Sequence, residues 1–149
     1  MFVIPMAGHS SRFNKEGYKK YKYELPLKLS GLKGKYLFDF CISSFVNYFS
    51  SDLFVFIVRD NNQKPFINNR VKYLKIKDYK IINLQRSTRG QAETVYLGLK
   101  NILLKENIYI FNIDTILLNF NKKINESYDG LIETFIGKGN HWSFVLVND

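Results

Sequence analysis

Leu53–Val58 reads Leu-Phe-Val-Phe-Ile-Val, six apolar residues in a row. A strand with one wet face alternates apolar and polar residues. A strand without alternation is covered on both faces, which points to a parallel sheet between helices. No other segment narrows the fold as much, and the rest of the chain agrees with it. Phe2–Met6 is a short apolar strand, Lys80–Leu84 a third strand, and Ile108–Ile113 a fourth buried strand that ends directly at Asp114. Between them the period changes. Tyr36–Phe49 carries apolar residues at Leu37, Phe38, Cys41, Ile42, Phe45, Val46 and Phe49, a helical spacing, and Asp39 near its start suits the positive end of a helix. Gln63–Leu74 reads as a helix weakened by Pro65. Gly90–Leu104 is helical, with Ala92, Val95, Leu99, Ile102 and Leu103 on one face. Leu131–Phe135 and Trp142–Val147 look like two further strands, separated by turn signals at Gly137 and Gly139. The alternation implies right-handed crossovers and an α/β fold with a mainly parallel sheet covered by helices. At 149 residues the expectation is one domain, 1–149.

Apolar content of 46% argues against disorder. No apolar run reaches the ~20 residues of a membrane span. Met1 leads straight into the first strand with no basic leader, so no signal peptide is expected. Cys41, the single cysteine, excludes an internal disulfide and reads as a core thiol. Together these features predict a cytoplasmic protein with no membrane partner. The net charge of +9 favours anionic partners. There is no aromatic–basic interleaving, zinc-finger spacing or basic helix, so nucleic acid is not an expected partner. Homo-oligomerisation stays open.

Ala7–Leu29 is a long polar loop, and a loop of that length in a small domain suggests binding. It opens Gly8-His-Ser-Ser-Arg12. Gly8 allows a tight turn and close approach of a ligand to the backbone. The N–H groups of His9, Ser10 and Ser11 could line an anion-sized concavity, with Arg12 adding positive charge. The competing reading is a surface turn after an edge strand. In parallel sheets ligands sit beyond the carboxyl ends of the strands. The Gly8–Arg12 loop, the Gln85–Gly90 loop and Asp114 all fall there, so they should meet on one rim.

Attack of a phosphorylated acceptor on the α-phosphorus of a nucleoside triphosphate requires positioning and charge neutralisation. Gly8–Ser11 could form the cradle, Arg12 and a lysine from Lys19–Lys28 the cations, and Asp114 a magnesium ligand. Arg12 could equally be a solvated arginine, and Asp114 the cap of a turn. Glu93, early in a helix, reads as structural. His9 and His141 have no partners at ligand spacing, so no histidine metal site is expected. Neither G-x-S-x-G nor G-x-x-x-x-G-K occurs.

Ile4-Pro-Met-Ala-Gly-His-Ser-Ser-Arg-Phe13, followed by Gly17-Tyr18 and a lysine soon after, resembles the opening of sugar-phosphate nucleotidylyltransferases (nucleotidyltransferase family A). The nearest likeness is to the bacterial capsule and surface-polysaccharide branch. Ser10 replaces that family's second glycine. The family's P-K pair falls on Tyr21-Lys22, with proline missing and lysine kept; Pro26-Leu27-Lys28 is a competing placement. Gln85-Arg-Ser-Thr-Arg-Gly-Gln-Ala-Glu-Thr94 resembles the base-binding loop, and Phe111-Asn-Ile-Asp-Thr115 the acidic motif at a strand end.

The resemblance implies a Rossmann-like three-layer sandwich of the nucleotide-diphospho-sugar transferase type. It further implies nucleotidyl transfer from a nucleoside triphosphate to a phosphorylated sugar or similar acceptor with release of pyrophosphate, in surface-polysaccharide precursor synthesis. By the same resemblance Arg12 and Lys22 hold phosphates. Ala7, Gly8, Ser10, Ser11, Gln85 and Gly90 contact the nucleotide, and Asp114 ligates Mg²⁺. Family members are usually longer, so the chain reads as C-terminally short, without the second magnesium carboxylate and much of the acceptor pocket. The alternative is a truncated or split, non-catalytic nucleotide-binding domain.

Overall fold

The structure is a computed structural model that describes residues 1–31, 34–103, 106–123, 129–139 and 145, apart from the side chain of Arg12. Four strands form one sheet: β1 (Phe2–Pro5), β2 (Leu53–Val58), β3 (Asp78–Asn83) and β4 (Tyr109–Ile110). Their order is β3-β2-β1-β4 and every pairing is parallel. Successive side chains of a strand point to opposite faces, and the core divides accordingly. Phe2, Ile4, Phe54, Phe56 and Val58 face helices α2 (Leu37–Ser43) and α3 (Lys64–Leu74), which add Phe38, Cys41, Ile42, Ile67 and Val71. Val3, Val55 and Ile57 face α4 (Gln91–Leu99), with Val95 and Leu99. The result is the expected three-layer α/β sandwich. Its chain reverses sheet direction between β1 and β4, and ligands gather at such a switch point.

Several boundaries depart from the sequence reading. β1 stops at Pro5 and β3 starts two residues early, at Asp78. The expected helix Tyr36–Phe49 breaks after Ser43, and a separate 3-10 turn covers Val46–Tyr48. Serine competes for backbone hydrogen bonds, and the Ser44 hydroxyl accepts from the Leu117 N–H at 2.9 Å instead. Val46 is consequently exposed rather than buried. Pro65 does not weaken its helix. It sits in the first turn of α3, where a missing N–H costs nothing. α4 ends at Leu99, Leu103 is exposed, and Leu104 lies outside the described residues. The fourth strand is only Tyr109–Ile110, and Ile110 is half exposed at the sheet edge. Its ladder follows Phe2 and Val3 alone, with a last bond from Phe111 N–H to Val3 carbonyl. Asp114 therefore stands in a turn beyond the strand, not at its final residue. Leu131–Phe135 is not a strand; these residues are exposed and, among the described residues, pair with no strand. Trp142–Val147 lies, except for Val145, outside the described residues.

One buried ion pair joins the layer of α2 and α3. Arg70 forks onto Asp39, Nε to Oδ1 at 2.7 Å and Nη2 to Oδ2 at 2.8 Å. Asp39 also accepts the N–H groups of Lys35 and Tyr36, so it caps the start of α2 as its position suggested. Gln63 braces the carboxyl edge from inside. Its Oε1 accepts from the N–H groups of Arg59 and Asp60, and its Nε2 donates to the Met6 carbonyl.

Candidate functional site

The loop after β1 leaves the sheet through buried Ala7 and exposed Gly8. Gly8 does not adopt a left-handed backbone; Ser10 does, at φ 51. The tight turn thus falls two residues later than the glycine suggested, on a residue for which that conformation is strained. Gly8 has nothing within 4 Å of the place a Cβ would occupy, so that space opens on the cleft. Among the described residues, the backbone N–H groups of Gly8, His9 and Ser10 donate to no protein acceptor. Gly8 and Ser10 line a cleft of about 230 Å³ together with Lys22, Asn112 and Asp114. Such free donors at a concave rim suit an anion.

The Lys22 ammonium is ion-paired with the Asp114 carboxylate across 92 residues of sequence. Lys22 N–H donates to Ser10 Oγ at 3.4 Å, which ties this turn to the opening loop. Lys22 and Asp114 also border a second, wider cleft of about 600 Å³, with Ser10, Ser11, Phe13 and Leu37. Lys28 is exposed and lies elsewhere, beside the bridge between Pro26 and Tyr36. Ser11 opens α1 (Ser11–Lys15), a short helix inside the stretch expected to be loop throughout. Arg12 follows it on α1, and its side chain lies outside the described residues.

Cys41 is buried within reach of the Asp114 charge, and burial first, then that charge, pushes its thiol up to about 12. Cys41 is the inert core thiol expected.

The second loop begins where β3 ends. Gln85 is exposed and left-handed, at φ 53, with its N–H donated to Asn83 Oδ1. Gln85 borders a cleft of about 410 Å³ with Arg59, Asp60, Asn83, Arg86 and Ser87. Gly90 caps α4 in an extended conformation open to every residue type, and nothing lies within 4 Å of its absent Cβ. Glu93 ties this loop down. It accepts from the Arg89 N–H at 2.6 Å, and that bond, ahead of the charges of Arg89 and Arg86, holds its carboxyl below the usual range. Its structural assignment stands.

Two contacts close the rim. His9 Nε2 lies 3.0 Å from Ser87 Oγ, joining the first loop to the second. Gln91 Nε2 donates to Asn112 Oδ1 at 2.8 Å, joining the start of α4 to the segment before Asp114. The opening loop, the 85–90 loop and Asp114 therefore surround one rim at the switch point. Tyr21, Arg59, Gln91 and Asn112 take part in it without having been assigned a role, and His9 takes part through its imidazole where only its N–H was expected to. Arg59 carried a signal: it is the first polar residue after the fully apolar β2, the same placement that marked Asp114.

No family model matches the chain, and no curated protein matches it. Among solved structures it is similar to the nucleoside-diphosphate-sugar pyrophosphorylase from Vibrio cholerae RC9, with 43% identity and a TM-score of 0.72. The match covers 83% of this chain and 51% of that one, so the chain spans about half the length of the pyrophosphorylase.

Proposed function

We propose that this chain belongs to the sugar-phosphate nucleotidylyltransferases and binds a nucleoside triphosphate at the β1–β4 switch point for transfer of its nucleotidyl group to a phosphorylated acceptor. The observation that carries the proposal is the ring Gly8–Ser10–Lys22–Asp114, closed onto the 85–90 loop by His9 and Ser87. The 43% identity to a pyrophosphorylase supports it independently. In the reaction an acceptor phosphate oxygen attacks the α-phosphorus. A new P–O bond forms, the α–β P–O bond breaks, and pyrophosphate leaves. Lys22 and Arg12 neutralise the phosphates. The main chain of Ala7, Gly8, Ser10 and Ser11 cradles them, and Gln85 and Gly90 face the base. Motif likeness to the surface-polysaccharide branch supports an acceptor from that chemistry.

The donor set fits a magnesium ion that arrives with its nucleotide. Among the described residues no cluster of three His, Cys, Asp or Glu could hold a metal alone. Magnesium in nucleotide sites is commonly bound through one or two carboxylates plus substrate phosphates. Asp114 supplies one such carboxylate, and when bound the ion supplies neutralisation of phosphate charge. Lys22 balances that carboxylate in the free chain and is placed to turn to a phosphate.

A nucleotide-binding domain without turnover would use the same loop, lysine and carboxylate. Two measurements decide. Magnesium with CTP, UTP or dTTP should raise the melting temperature, and Arg12→Ala and Asp114→Ala should each remove that shift without unfolding the chain. Pyrophosphate release in the presence of a sugar phosphate separates the enzyme from the binding domain. A shift that persists in both variants refutes the site.

A further inference from the structure

Arg59 is the first residue past β2, and the chemistry above does not use it. Its guanidinium touches three side chains, two of them on the opening loop. Nη1 meets Nδ1 of His9. Nη2 donates to the Tyr21 hydroxyl at 3.2 Å. Nε lies 3.7 Å from Asp60 Oδ2, which accepts from the same hydroxyl at 2.9 Å. A guanidinium has donors only, so His9 Nδ1 accepts. The imidazole proton then sits on Nε2, where it reaches Ser87 Oγ.

Tyr21 makes the link to Lys22. Its backbone sits at φ −64 and ψ 147, the φ that a proline ring would impose. The side chain holds it there instead. The hydroxyl is tied to Arg59 and Asp60, and the ring stacks on Tyr23 at 5.3 Å and 3°. No acceptor takes the Tyr21 N–H among the described residues, so a proline would lose nothing there. The next residue is Lys22, with its ammonium on Asp114.

We infer that Arg59 is a positioning residue: through Tyr21 it holds Lys22 against Asp114, and through His9 it holds the 85–90 loop beside the opening loop. Its consequence for nucleotide affinity rests on the proposed function. The contacts themselves do not.

The test uses the full chain and the variants Arg59→Ala, Tyr21→Phe, Tyr21→Pro and the double variant Arg59→Ala with Tyr21→Pro. The first readout needs no nucleotide: the rate at which an amine-acylating reagent modifies Lys22, compared with exposed Lys28, read by peptide mass spectrometry. Lys22 should react more slowly than Lys28 in the parent chain. Arg59→Ala and Tyr21→Phe should raise it to the Lys28 rate, and proline at 21 should restore its protection in the double variant. The second readout is binding of magnesium with CTP or UTP. Arg59→Ala should weaken it about tenfold or more, the worth of a charge-assisted hydrogen bond. The double variant should recover only the share that runs through Lys22, because His9 stays unheld. Lys22 as protected in Arg59→Ala as in the parent overturns the inference, and so does a double variant no better protected than Arg59→Ala. A parent chain that binds no triphosphate yet shows the expected labelling sinks the nucleotide reading and leaves Arg59 its role. Should Arg59→Ala fail to fold, Arg59→Lys answers the same question, since a single ammonium cannot hold three partners in a fork.

Discussion

Cys41 shows how one residue reports its surroundings. It is fully buried, and at pH 8 a thiol raised to about 12 carries almost no thiolate. The native chain should therefore resist an aromatic disulfide reagent that reacts fully once urea is added. Reaction of the folded chain at the rate of a small free thiol would put Cys41 at the surface and undo its burial near Asp114. The sequence carried this assignment because an apolar neighbourhood is a strong cue for burial. The opening loop was legible in its chemistry but not in its geometry. Gly8 reads as the turning residue, yet Ser10 takes the left-handed backbone and Gly8 keeps only open space. Residue type constrains which conformations are cheap; it does not say which neighbour will bear a strained one. Tyr21 was invisible for a related reason. A tyrosine where the family motif has proline looks like a loss until its hydroxyl is seen on Asp60 and Arg59.

Among the elements, the start of α4 and its buried Val95 and Leu99 were legible by period, but not its early end, the exposure of Ala92 or its contact with the sheet. A Cβ on Gly98 would lie 2.8 Å from Ile57 Cγ1, and Ile57 is fully buried in β2. Alanine is better than glycine in a helix by about 1 kcal/mol, so helix propensity predicts that Gly98→Ala stabilises. Overpacking a closed core costs typically 1–3 kcal/mol and should win here. The expected outcome is a lower urea midpoint with an unchanged slope, and a raised midpoint would mean α4 can lift from the sheet. Nothing in the sequence announces that contact, since it belongs to the distance between two layers. The short β4 has a similar origin. Its apolar run promised six residues, but its ladder with β1 covers only Phe2 and Val3, and the next β1 residue facing it, Pro5, has no N–H to give. Buried runs with partners on both sides, such as β2, come through from the sequence intact.

At the scale of the whole molecule the two ends of the sheet do different work. The carboxyl edge carries a half-exposed ion pair, strained loops and unengaged N–H groups, which stabilise little and leave a ligand room. The amino edge is braced by a charged cluster around Asp52. Lys122 reaches Asp52 there while lying over the rings of Tyr48 at 4.9 Å and Phe2 at 5.4 Å. Burial works to raise the Asp52 carboxyl, but Lys122, Ser51 and the Met1 ammonium outweigh it and hold the group below its ordinary value. A carboxyl lowered in the folded state adds stability that is complete above its unfolded value of about 3.9. That stability is lost as pH falls through the lower, folded value. Asp52→Asn should cost about 1–3 kcal/mol at neutral pH, the usual worth of charged hydrogen bonds. Its unfolding free energy should also change less than the parent's between pH 5 and about pH 2, the range in which native carboxylates are protonated. Because the substitution sits at the end of the sheet away from Gly8 and Asp114, triphosphate binding at neutral pH should be unchanged in chains that remain folded. Urea titrations across that pH range, paired with a nucleotide titration, test both halves. An Asp52→Asn chain with a parent-like acid profile, or with weakened nucleotide binding, would show that stability and function are not divided between the two edges.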